Sequence, residues 1–132
     1  MEKIVSHISE LIGETPLFKL TKVVPSGAAD GYVKLESLNI GHSIKDRVVL
    51  NILEVAEEQG KISPSDAVVE VTDGNASISL AMLAAAKGYR SILVMPEGTS
   101  AAYLPKLSMY DAEVIETPES EGINGAIKAA VE

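Results

Sequence analysis

Two hydrophobic rhythms alternate along this chain. Short apolar runs with strand character stand at residues 32–35 (Tyr-Val-Lys-Leu), 67–71 (Ala-Val-Val-Glu-Val), 91–95 (Ser-Ile-Leu-Val-Met) and 113–117 (Glu-Val-Ile-Glu-Thr). The second is rich in β-branched residues and runs into a Gly-Asn turn signal. The third is nearly continuous until Pro96, as in a strand buried on both faces.

Between the runs lie longer segments with helical spacing. From 44 to 59, Val48, Val49, Ile52, Leu53 and Ala56 form one stripe that Gly60 ends. From 77 to 87 nearly every position is apolar, which predicts a helix pressed against a sheet and closed by Gly88. A third helix is expected over 100–110, kinked or shortened by Pro105, and a last one over 122–132. Strand-helix-strand alternation with these connection lengths predicts an α/β fold: three layers, α/β/α, around a parallel sheet of about four strands. Residues 1–30 do not join the rhythm. They are expected to form an extended arm and loop ahead of a single α/β domain at 31–132.

A chain of 132 residues can bury a real core, and with one Phe and no Trp that core must be aliphatic. A formal net charge of −8 makes nucleic acid an unfavourable partner. The absence of cysteine removes disulfides, thiolate catalysis and Cys-based zinc sites, and no metal site is expected. Without a signal-like hydrophobic region or a long apolar stretch, the expectation is a cytoplasmic chain that does not enter membranes.

Two loops carry candidate chemistry. In residues 39–47 (Asn-Ile-Gly-His-Ser-Ile-Lys-Asp-Arg), Gly41 gives backbone freedom and Ser43 caps a helix starting near Ile44. Lys45 then sits in the first turn, against the positive end of the helix dipole. That placement favours the neutral amine that condenses with aldehydes. Taken alone, a lysine in such a loop is as a rule a solvated surface side chain. In the second loop, Thr72, Asp73, Gly74, Asn75 and Ala76 follow a strand and precede the apolar helix. Open α/β sheets bind ligands at such strand ends, and helix-start amides suit a carboxylate. A plain turn with Asn75 in a left-handed conformation is the competing reading.

Together the loops resemble those of the cysteine synthases (O-acetylserine sulfhydrylases), fold-type II enzymes dependent on pyridoxal 5′-phosphate (PLP). Residues 43–47 resemble the family's S-x-K-D-R motif, and 72–76 resemble its T-S-G-N-T substrate loop. Further stretches are similar in kind and spacing: 12–17 (Ile-Gly-Glu-Thr-Pro-Leu), 34–36 with Asn39, 84–89, 95–97 and 122–126. The resemblance implies that Lys45 forms the Schiff base with PLP and moves protons at the substrate α-carbon. It implies that Asn75 bonds the cofactor's 3′-oxygen. Thr72, Asp73, Gly74, Asn75 and Ala76 would then grip the substrate carboxylate. The implied reaction is β-replacement, in which O-acetylserine loses acetate through an aminoacrylate and sulfide adds to give cysteine.

The resemblance has departures. Asp73 stands where the family has serine, and a carboxylate about 4 Å from the substrate's would cost roughly 4 kcal/mol at an effective dielectric near 20. Ala76 removes a threonine hydroxyl, and Ser77 and His42 replace glycines. Ile40 replaces a proline, and Pro105 interrupts a normally charged helix. The family's loop for the PLP phosphate lies in its second half, so this chain is expected to represent the smaller domain and to be inactive alone. The alternative expectation is a non-catalytic α/β module acting through protein contacts. In either case Ile12, Leu17 and Phe18 are expected to be disordered or buried in a homodimer.

Overall fold

The computed structural model describes residues 4–72 and 74–132. Its centre is a parallel sheet of three strands, β3 (Ala67–Val71), β4 (Arg90–Pro96) and β5 (Glu113–Thr117), in that order. Val69 is level with Ile92, and Val94 with Ile115. Helix α2 (Asn75–Lys87) connects β3 to β4. A broken helical stretch containing α3 (Leu104–Leu107) connects β4 to β5. Helices α1 (Lys45–Glu58) and α4 (Gly122–Val131) precede and follow the sheet.

The middle strand explains the layering. Leu93 and Val94 point to opposite faces of β4, and both are fully buried. Leu93 and Met95 join Leu80, Met82 and Leu83 of α2, Val49 and Leu53 of α1, and Leu107 in one aliphatic core. Helix α4 covers the other face, packing on all three strands. The α/β layering and the parallel sheet follow the hydrophobic pattern.

One predicted strand belongs elsewhere. Residues 32–34 form β2 (Tyr32–Lys34), which pairs antiparallel with β1 (Leu17–Lys19), Phe18 opposite Val33. The parallel sheet among the described residues therefore has three strands rather than four. All three residues of β2 are exposed, and an exposed strand cannot occupy a sheet that helices cover on both faces. Residues 8–34 are also more regular than a bare arm, with a 3₁₀ turn at Ile8–Leu11 and this ribbon. Ile8 and Ile12 pack against the aliphatic core, whereas Leu17 and Phe18 are exposed.

Helix limits follow local chemistry. Helix α2 begins two residues earlier than expected, at Asn75, and ends at Gly88 in a left-handed conformation (φ 82°). The expected helix at 100–110 is divided into a 3₁₀ turn, the four-residue α3 and a second 3₁₀ turn. Pro105 occupies the first turn of α3, where its missing amide costs no hydrogen bond. On α1 the stripe is only partly buried: Val49 and Leu53 face the core, while Val48 and Ile52 are exposed.

Candidate active site

Lys45 is the first residue of α1, and its side chain is exposed. The turn before it is closed by its own polar groups. His42 N–H donates to the Asn39 carbonyl at 2.9 Å, and the Asn39 side-chain amide donates to the Ser43 carbonyl at 3.2 Å. The Lys45 amide donates to Ser43 Oγ at 3.1 Å, so the serine acts from two residues upstream rather than as the cap itself. Ile44 occupies the cap position. His42 has φ 61°, a left-handed conformation that a side chain adopts only under constraint. Its ring Nδ1 lies 3.1 Å from the Ser37 carbonyl oxygen.

The neighbours of Lys45 in sequence anchor the turn in two directions. Asp46 is fully buried: it accepts the Gly41 amide at 2.6 Å and the Ser79 hydroxyl of α2 at 2.5 Å. Arg47 points the other way and makes a two-pronged contact with Glu36, Nε–Oε2 at 2.8 Å and Nη2–Oε1 at 3.1 Å. Thr15 donates to Glu36 and accepts from Arg47, while Asn39 accepts the Gly13 amide and donates to Glu36. The Arg47 bonds, then the Thr15 hydroxyl, lower the Glu36 carboxyl to about 2. Lys34 Nζ closes the same region through the Thr15 carbonyl.

The second loop lies at the carboxyl end of β3. Thr72 is buried, its amide bonded to the Val94 carbonyl at 3.1 Å and its hydroxyl accepting the Gly74 amide at 3.3 Å. Asn75 has an exposed side chain and is the first helical residue, not a left-handed turn residue. Ala76 is half buried behind it. Ser77, in the place of a family glycine, is accommodated by donating its hydroxyl to the Gly74 carbonyl at 2.6 Å. Asp73, assigned to the substrate loop, lies outside the described residues.

The two loops stand at neighbouring helix starts. Ser79, the partner of Asp46, is one turn beyond Asn75 and lies 3.2 Å from the Asn75 carbonyl. Glu70, two residues ahead of Thr72, is half buried; burial raises its carboxyl, and the charge of Lys45 opposes that rise. Its Oε2 is buried with no hydrogen-bond partner. Lys45 is thus within electrostatic reach of the strand that leads into Thr72. Sequence reasoning missed Asp46, Ser79 and Glu70. A charged residue in step with Val49 and Leu53 on the inward side of α1 was the available signal for the first.

Lys45 offers an exposed amine, the group that condenses with an aldehyde-bearing cofactor, and Asn75 an exposed side-chain amide, each at the start of a helix. A profile of pyridoxal-phosphate dependent enzymes matches residues 8–132. The chain belongs to that family. It is 50% identical over 131 residues to a cysteine synthase of Staphylococcus aureus (strain N315), covering 99% of this chain and 42% of the relative. It is 44% identical to a probable cysteine synthase of Bacillus subtilis (strain 168), again matching 42% of its length. The solved structure of a cysteine synthase from Entamoeba histolytica superposes with a TM-score of 0.90 at 35% identity, over 97% of this chain and 39% of that one. The chain thus spans about two-fifths of the length of the relatives it matches. The family's cofactor is pyridoxal phosphate, and no helix among the described residues is long and apolar enough to cross a membrane.

Proposed function

We propose that this chain carries the lysine-bearing part of a cytoplasmic pyridoxal-phosphate site of the cysteine synthase kind, acting on O-acetyl-L-serine and sulfide. Bound there, the cofactor supplies an electron sink for chemistry at the substrate α- and β-carbons. Lys45 would hold the cofactor covalently, and its amine would serve to move the proton at the substrate α-carbon. Asn75 would donate to the cofactor's 3′-oxygen, while the loop at Thr72, Gly74 and Ala76 would orient the substrate carboxylate with backbone amides. Asp73 places a negative charge in the same loop and disfavours that carboxylate. By the resemblance, the phosphate end of the cofactor falls to the family's second half rather than to these 132 residues.

The observation that supports this reading most is the place of Lys45. Its amine is exposed at the head of α1, and its charge reaches Glu70 just ahead of the Thr72 loop. The test is borohydride reduction after incubation with pyridoxal phosphate, followed by peptide mass mapping. A phosphopyridoxyl group on Lys45 that disappears in Lys45→Ala is the expected result. Labelling scattered over other lysines, unchanged in the variant, would remove the assigned role.

A second reading, a module that works through protein contacts, is favoured by the apolar row Ile44, Val48, Ile52 and Val55 on the exposed side of α1. It expects a cooperative unfolding transition that the cofactor does not move. The exposed apolar residues of the ribbon, Leu17, Phe18, Tyr32 and Val33, are the proposed self-association surface; sedimentation velocity showing monomer across a wide concentration range would exclude it.

A further inference from the structure

We propose that Asp46 is a positioning residue, whose carboxylate fixes the turn bearing Lys45 against the helix that starts at Asn75. The argument begins with what occupies the inward side of α1. Positions 46, 49 and 53 share that side at helical spacing, and Val49 and Leu53 fill it with apolar bulk. Asp46 places a carboxylate at the next position, with none of its surface exposed. A buried carboxylate is costly unless it is hydrogen-bonded, and an aliphatic side chain would serve packing better. Stability alone does not account for the choice.

The bonds account for it. One oxygen accepts the Gly41 amide, from the turn four residues before Lys45, and the other accepts the Ser79 hydroxyl, from α2. Asp46 therefore touches, with a single side chain, the turn before the candidate nucleophile and the helix that carries the candidate cofactor amide. Gly41 is shaped for this. Its φ is not positive, yet a Cβ there would collide with the Asp46 carboxylate. The glycine is needed for close approach rather than for backbone freedom. Ser79 reports on both ends of the link, since its hydroxyl also lies 3.2 Å from the Asn75 carbonyl.

Ion pairing at Arg47 holds the same turn to residues 13–36, so the turn is fixed on two sides, and Asp46 supplies its hydrogen bond to α2. If this link is removed, the head of α1 and the head of α2 lose their mutual placement while the aliphatic contacts of Val49 and Leu53 persist. The importance of that placement for a cofactor rests on the proposed function. The link itself does not.

The experiment therefore has two arms, each applied to Asp46→Asn, which keeps the shape, and to Ser79→Ala, which keeps the carboxylate. In the first, amide hydrogen exchange is followed without any cofactor. Losing one charge-assisted bond should speed exchange at Gly41 roughly tenfold in both variants, with little change in α4. Exchange at Gly41 that is unchanged, or that rises only in step with α4, overturns the proposal. In the second, the rate of borohydride-trapped pyridoxal phosphate at Lys45 is compared, with far-UV circular dichroism confirming the fold. A roughly tenfold slower capture in Ser79→Ala is expected, and an equal rate overturns the positioning role. No capture at all in the unaltered chain would sink the proposed function, and the exchange arm would then decide the link by itself.

Discussion

The middle and the head of helix α1 are held by opposite means. Along its length, Val49 and Leu53 sink into the aliphatic core shared with α2 and β4. At its head, Asp46 and Arg47 are held by directed bonds to Gly41, Ser79, Thr15 and Glu36. Burial of apolar surface is strong and tolerant of direction. Hydrogen bonds contribute less net energy but fix angle and register. The difference teaches that the core sets whether this chain folds, and the polar frame sets where Lys45 is presented.

Substitutions can pull these contributions apart. The largest effect is expected in the core: Leu83→Ala, at a fully buried site, should lower unfolding free energy by about 2–5 kcal/mol. Chemical denaturation would show this as a lower midpoint with an unchanged slope. Next comes Gly41→Ala, which drives a methyl group into the Asp46 carboxylate and should cost about 1–3 kcal/mol. Wild-type stability in that variant would mean that the carboxylate can swing aside without loss.

The Glu36 cluster should respond to acid and by a smaller amount. Its carboxyl lies at about 2 rather than the ordinary 4.5, so the unfolded chain binds the proton more readily. The stability it contributes is complete above 4.5 and is lost as pH falls toward about 2. Glu36→Gln should remove that part of the acid transition, which thermal melts across the same range would reveal. The smallest effect, of opposite sign, is expected at Glu70. Burial raises its carboxyl, so the folded form binds the proton more tightly and stability declines as pH climbs above the ordinary 4.5. Glu70→Gln should therefore stabilise slightly near neutral pH, with the gain vanishing in mild acid. A destabilised variant at neutral pH would show that attraction to Lys45 outweighs desolvation.

Much of the scaffold was legible because periodicity reports burial. The runs at 67–71, 91–95 and 113–117 became the three parallel strands, and the apolar segment ahead of Gly88 became α2. The strand at 32–34 was also visible, but its partner was not. Three residues carry too little pattern to reveal antiparallel pairing with Leu17–Lys19, and their exposure is set by tertiary context. At the candidate site, Lys45 and the Thr72 loop stood out through motif and position at a strand end. Ser79 and Glu70 did not, because a buried hydroxyl or carboxylate reads in sequence like a surface one, and Asp46 was marked only by its step with Val49 and Leu53. Only the convergence of three segments distant in sequence gives them meaning. Ser77 shows the same limit: the hydroxyl that looked intrusive is satisfied by the Gly74 carbonyl.

The strand order β3-β4-β5 has a consequence for biogenesis. Spatial neighbours are also neighbours in translation order, so β4 and β5 each meet an edge already made. The centre of the sheet closes when β5 docks, and α4 then seals the remaining face. Vectorial assembly of this kind keeps sequence separations between pairing strands modest, which shortens the time that the β4 edge spends unpaired and open to aggregation.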